Sequence, residues 1–151
     1  MRLVTYEIEH KSGLGVISRD GSWVYPLASL DMDYKTMQEL IENISESEKQ
    51  LLEYASGQDP YKVRGAAPIG EVSLLAPIPH PRQDVICLGI NYRDHAEEAA
   101  RFSGDAFRKE RPIPIYFSKR VAEAVPPNGW INSHPGLVEQ LDYEAELGVV
   151  I

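Results

Sequence analysis

The run from Asp59 to Arg82 constrains this chain more than any other part of it. Pro60, Gly65, Pro68, Gly70, Pro77, Pro79 and Pro81 all fall within it. Proline lacks the amide hydrogen that a helix interior or a central strand needs, and glycine loses the most backbone freedom on ordering. No long helix and no central strand can cross such a run, although Val72, Leu74 and Leu75 leave room for one short strand. The run therefore predicts a connector between two units, 1–77 and 78–151, with the boundary near Pro77–Pro81.

Before the connector, the pattern predicts a small β/α domain. Val4, Tyr6 and Ile8 alternate with polar positions, and Gly13 to Ile17 gives a second run. An Asp20-Gly21 turn leads into Trp23-Val24-Tyr25, where Pro26 closes the ladder. Asp33 is the expected N-cap of a helix carrying Met37, Leu40, Ile41 and Ile44 at helical spacing. Ser45-Glu46-Ser47-Glu48 has the form of a capping box and opens a second helix through Leu51, Leu52 and Tyr54, with Gly57 as its stop. The acidic side chains of both helices suit a solvated face.

After the connector, Val85 to Ile90 is a continuous apolar run, the pattern of a strand buried on both faces. It contains the single cysteine, Cys87, expected as a buried, inert thiol. Arg93 to Ala100 reads as helical, and Ile113 to Lys119 as a strand whose Pro114 puts its start at an edge. Leu141 to Ile151 reads as a strand with Asp142, Glu144 and Glu146 at every second position, and so on one face. That last strand carries no turn or cap, which predicts that the 151-residue chain is the front part of a longer protein. The fold class expected is mixed α+β and β-rich.

Charge and motifs narrow the function. A net charge of −8, from 23 acidic and 15 basic side chains, argues against nucleic-acid or membrane partners, which call for a basic face. No apolar segment reaches the about 20 residues of a membrane span. One cysteine excludes an internal disulfide and fits a reducing, cytoplasmic location. Phosphate-binding glycine loops, paired-cysteine zinc motifs and the Gly-x-Ser-x-Gly elbow are all absent from the sequence.

Two constellations remain. Carboxylates on one face repel unless a cation, a proton or water relieves them, and a hard divalent cation takes such oxygen ligands. Alone, the alternation at Asp142, Glu144 and Glu146 suits a solvated edge strand as well as a cation site. His95 and Glu98, three apart on a helix, form a pair in which the carboxylate orients the imidazole as a base. Lys119, at a strand end, can hold an anionic group as a point charge.

Three stretches in this order carry a family resemblance: Leu88-Gly89-Ile90-Asn91-Tyr92-Arg93-Asp94-His95-Ala96-Glu97-Glu98, Pro114 to Lys119, and Leu141 to Ile151. Together they resemble the fumarylacetoacetate hydrolase family from about Val85 onward. The resemblance implies a β-roll-like catalytic domain, begun in 78–151, and usually a homodimer. It implies Glu144 and Glu146 as ligands of Mg²⁺ or Mn²⁺, with a third ligand, an aspartate, beyond Ile151. It further implies His95 and Glu98 as the catalytic pair of a lid, Lys119 as a catalytic and substrate-binding residue, and Asn91 and Tyr92 beside the substrate. Small anionic 2-oxo or 1,3-dicarbonyl acids are the implied substrates. Their hydrolysis, decarboxylation or isomerisation runs through a metal-bound enolate. The alternative from another class is a catalytically incomplete module that acts in assembly or with a separate C-terminal half.

Overall fold

The computed structural model describes residues 1–89, 91, 92, 94, 97 and 113–151. Strands β1 (Leu3–Ile8), β2 (Lys11–Ile17) and β3 (Trp23–Pro26) form an antiparallel meander. Helices α1 (Met37–Asn43) and α2 (Glu46–Ser56) follow, then the two-residue strands β4 (Ala67–Pro68) and β5 (Ser73–Leu74). Strands β6 (Val85–Gly89) and β7 (Ile115–Lys119) make a separate antiparallel ribbon. The fold of the described residues is thus mixed and mostly stranded, with α1 and α2 as the helices seen in full.

The five-stranded sheet has the order β4-β3-β2-β1-β5. Both of its edges come from the Pro/Gly-rich connector. Trp23 pairs with Pro68 on one side and Tyr6 with Leu74 on the other. Short edge strands, one carrying proline, leave little open backbone for another chain to join. The connector is also pinned beyond the sheet. Thr5 Oγ1 donates to the Pro77 carbonyl at 2.7 Å, Gln38 Nε2 to that of His80 at 2.8 Å, and the Ala124 amide to that of Pro79 at 2.7 Å.

One face of the sheet packs against the helices. Leu14, Val16, Tyr25, Leu27, Met32, Met37, Leu40 and Leu52 form that core. The Tyr25 hydroxyl stays paired, donating to the Gln58 carbonyl at 2.8 Å. On the opposite face the Tyr6 ring lies across Gly13 and Gly15. A Cβ at Gly15 would stand 2.6 Å from Val24 Cγ1 and 3.3 Å from the Tyr6 ring, so the side-chain-free position is what lets tyrosine and valine close over the strand.

Local signals were of mixed accuracy. The capping box at Ser45 forms in full: the Ser45 hydroxyl accepts from the Glu48 amide, and the Glu48 carboxylate accepts from the Ser45 amide. The Ser45 hydroxyl and amide, with the Tyr34 hydroxyl, hold the Glu48 carboxyl below the usual glutamate range. The first helix starts later than expected, because Thr36 caps it by accepting from the Glu39 amide. Asp33 instead pairs with Lys35. The β1–β2 connection is a two-residue turn with Glu9 and His10 at φ of 49° and 61°, the left-handed geometry that strand twist favours in tight hairpins.

The largest departure is at β6. Its pattern predicted burial on both faces, yet Ile86 is 67% exposed and Cys87 only half-buried. Among the described residues β6 pairs with β7 alone, and no helix layer covers the ribbon. A continuous apolar run reports what a strand needs, not what surrounds it.

Two substitutions test these packing arguments by urea unfolding. Gly15→Ala should lose about 1–3 kcal/mol through overpacking against Val24 and Tyr6. Ser45→Ala should lose about 1 kcal/mol through the missing cap, with the denaturant slope unchanged.

Candidate active site

The β6–β7 register fixes where the expected site residues stand. Val85 lies opposite Lys119, Cys87 opposite Phe117, and Gly89 opposite Ile115. Lys119 is therefore at one end of the ribbon, while the chain leaving Gly89 toward Asn91 and Tyr92 is at the other. Four residue steps of antiparallel strand separate the two ends, about 14 Å.

Phe117 and Lys119, two apart on β7, share a face. The Lys119 ammonium lies 5.7 Å from the Phe117 ring centroid, within reach of the ring's negative face. The same ammonium lies 3.9 Å from Glu144 Oε2. Three residues on, the Leu147 amide donates to the Tyr92 hydroxyl at 3.1 Å. The acidic segment is thus tied at both ends of the ribbon: Glu144 to the Lys119 end and Leu147 to the Tyr92 end. It runs alongside the ribbon in the same direction as β6.

This segment is not the strand that its alternation predicted. Residues 141–151 form no strand, and all are exposed. Alternating side chains set which faces are polar, but a strand also needs a neighbour for its amides and carbonyls, and none pairs with it among the described residues. Asp142 differs from the two glutamates, since its Oδ1 accepts from the adjacent Tyr143 amide at 2.8 Å.

The structure brings Lys119 and Glu144 together and joins Tyr92 to the same segment. Glu146 is exposed between the two ties, and Asn91 is exposed beside Tyr92. His95 and Glu98 lie outside the described residues; Asp94 and Glu97, from the same stretch, have helical backbone. The tie through Tyr92 had no signal in the sequence, because its partner is a backbone amide 55 positions away.

Among the described residues no three His, Cys, Asp or Glu side chains gather closely enough to hold a metal ion. Glu144 and Glu146 do fit one in kind. Both offer hard carboxylate oxygens, and Mg²⁺ commonly binds one or two carboxylates while keeping several waters. Among the described residues no helix is long and apolar enough to cross a membrane.

Residues 84–151 match the family described as "Fumarylacetoacetate (FAA) hydrolase C-terminal". Over 118 residues the chain is 38% identical to oxaloacetate tautomerase YisK of Bacillus subtilis (strain 168), covering 74% of this chain and 38% of that protein. The chain belongs to the fumarylacetoacetate hydrolase family. It is also 35% identical over 95 residues to the uncharacterized protein SSP1806 of Staphylococcus saprophyticus, covering 63% of this chain and 27% of that one. A third family relative, the uncharacterized protein SAUSA300_0871 of Staphylococcus aureus (strain USA300), is 35% identical over 81 residues, 54% of this chain and 24% of its own. The chain therefore spans well under half the length of the curated relatives it matches.

The Lys119–Glu144 pair is exposed on both sides, so it contributes little to folding. Lys119→Met should change the unfolding free energy by less than about 1 kcal/mol in urea titrations. A larger loss would make Lys119 a structural residue rather than one available to a ligand.

Proposed function

We propose that the chain belongs to a divalent-metal-dependent isomerase acting on small 2-oxo acids, with keto–enol tautomerisation as its reaction. The observation that carries this is the ammonium of Lys119 beside the Glu144 carboxylate, in a chain 38% identical to an oxaloacetate tautomerase. Glu144 and Glu146 would hold Mg²⁺ or Mn²⁺. A cation held there would supply Lewis-acid polarisation of the substrate's 2-carbonyl.

The chain's own residues do the rest. Lys119 would bind the substrate carboxylate as a compact charge. His95, oriented by Glu98, takes a proton from the carbon next to the carbonyl. The electron pair of that C–H bond forms a C=C bond, and the carbonyl π pair moves onto oxygen, which takes up a proton. Keto and enol forms then differ only in the position of one proton, and no co-reactant is consumed. Decarboxylation of related acids, and C–C cleavage once water has added to their acyl carbonyl, also move an electron pair onto the 2-oxygen. The enzyme is proposed to work as a cytoplasmic homodimer, in keeping with the family resemblance.

Ultraviolet absorbance of the enol form of oxaloacetate follows the reaction directly. Metal-stimulated ketonisation should fall by at least about 100-fold in Glu144→Gln or Glu146→Gln, the scale of losing a polarising charge at the reacting oxygen. Equal metal-stimulated rates in wild type and both variants would remove the carboxylates from the mechanism.

The assembly-module alternative is favoured by a different observation, the apolar surface of β6 and β7 that stands open among the described residues. Titration calorimetry with Mg²⁺ separates the two. Stoichiometric binding lost in Glu144→Gln supports the enzyme, and no heat above dilution supports the module.

A further inference from the structure

The two ties on the acidic segment are made by different elements, and they bracket the carboxylates. Lys119, from the end of β7, meets Glu144 itself at 3.9 Å. Tyr92, from the chain that leaves β6, meets no side chain of the segment; its hydroxyl accepts the backbone amide of Leu147 at 3.1 Å. An extended chain covers about 10 Å between residues 144 and 147. The ribbon ends that provide the ties are about 14 Å apart, a span that the tyrosine and lysine side chains bridge. With both ties made, Glu144 and Leu147 are each anchored to the ribbon, and Glu146 stands in the short stretch between them.

We propose that Tyr92 is a positioning residue for the metal carboxylates, acting through the Leu147 amide rather than by touching substrate. This role rests on the proposed metal site at Glu144 and Glu146. Four observations support it. Among the described residues, 141–151 have no strand partner to fix them, so each tie matters more than it would in a sheet. The Lys119 tie competes with a cation for the same glutamate oxygens, whereas the Tyr92 tie engages only backbone and persists when a cation binds. Tyr92 is itself exposed, so its bond to the Leu147 amide is the contact that the described residues show for its hydroxyl. Finally, Tyr92 stands in the same Asn91-to-Glu98 stretch as the proposed base, so one hydroxyl links the segment of the base to the segment of the metal ligands.

The test uses the whole chain, Mn²⁺ as the probe, and the variants Tyr92→Phe, Glu144→Gln and Glu146→Gln. Manganese affinity is read by electron paramagnetic resonance, and the exchange of the Leu147 amide by nuclear magnetic resonance. Tyr92→Phe keeps the ring and removes only the acceptor. It should weaken Mn²⁺ binding about three- to tenfold, the effect of one net hydrogen bond. It should also bring the Leu147 amide to the exchange rate of an unstructured peptide, from a slower rate in the wild type. Unchanged affinity and unchanged Leu147 exchange, with binding still lost in the two glutamine variants, would overturn the role of Tyr92 and leave the metal site standing. Unchanged affinity in the glutamine variants would overturn the metal site itself. Should Tyr92→Phe fail to fold, the wild-type amide decides alone: exchange at the unstructured rate rules the tie out, and slower exchange upholds it.

Discussion

The pairing of β6 with β7 is the constraint on which the candidate site depends. Setting Val85 against Lys119 and Gly89 against Ile115 decides that the lysine and the tyrosine leave the ribbon at opposite ends. A one-residue slip of β7 against β6 would turn Phe117 and Lys119 together to the other face of the ribbon, because side chains alternate with a period of two. The acidic segment has no ladder of its own among the described residues. Its position is borrowed from the ribbon through one ammonium and one hydroxyl.

The N-terminal part works differently. Its order comes from burial: eight apolar side chains pack between sheet and helices, and Tyr6 closes over two glycines on the far face. The connector completes this unit rather than leaving it. The prolines that forbid a long strand are what make Ala67–Pro68 and Ser73–Leu74 short enough to serve as protected edges. Three hydrogen bonds from Thr5, Gln38 and Ala124 then hold residues 77–80, so a composition that reads as flexible is fixed in place.

How much was legible in the sequence follows from the range of each signal. Ser45 to Glu48 announces its own cap because both partners sit within four residues. The β1–β3 meander shows through alternation and an Asp-Gly turn for the same reason. Thr36 displaced Asp33 as a cap because several polar residues precede the helix, and the choice depends on where Met37 must enter the core. The burial expected for Val85 to Ile90 is not found in the described β6, and the strand expected at Leu141 to Ile151 does not form, because both need neighbours that local sequence does not supply. Motif order singled out Glu144 for metal and Lys119 for substrate separately, and the 3.9 Å contact between them was not foreseen. A tyrosine bonded to a distant amide leaves no pattern, because any residue but proline could provide that amide.

The open ribbon also bears on how the chain behaves before it is covered. Among the described residues Ile86, Leu88, Tyr116 and Phe117 present apolar side chains beside two unshared strand edges, the combination through which chains recruit copies of themselves. The acidic surplus opposes this, since a net charge of −8 makes every encounter between copies begin with repulsion. That protection is screened by salt over about 8–10 Å at ordinary ionic strength. Colloidal behaviour, and not only folding, is therefore written into the balance between one bare two-stranded ribbon and the carboxylates spread around it.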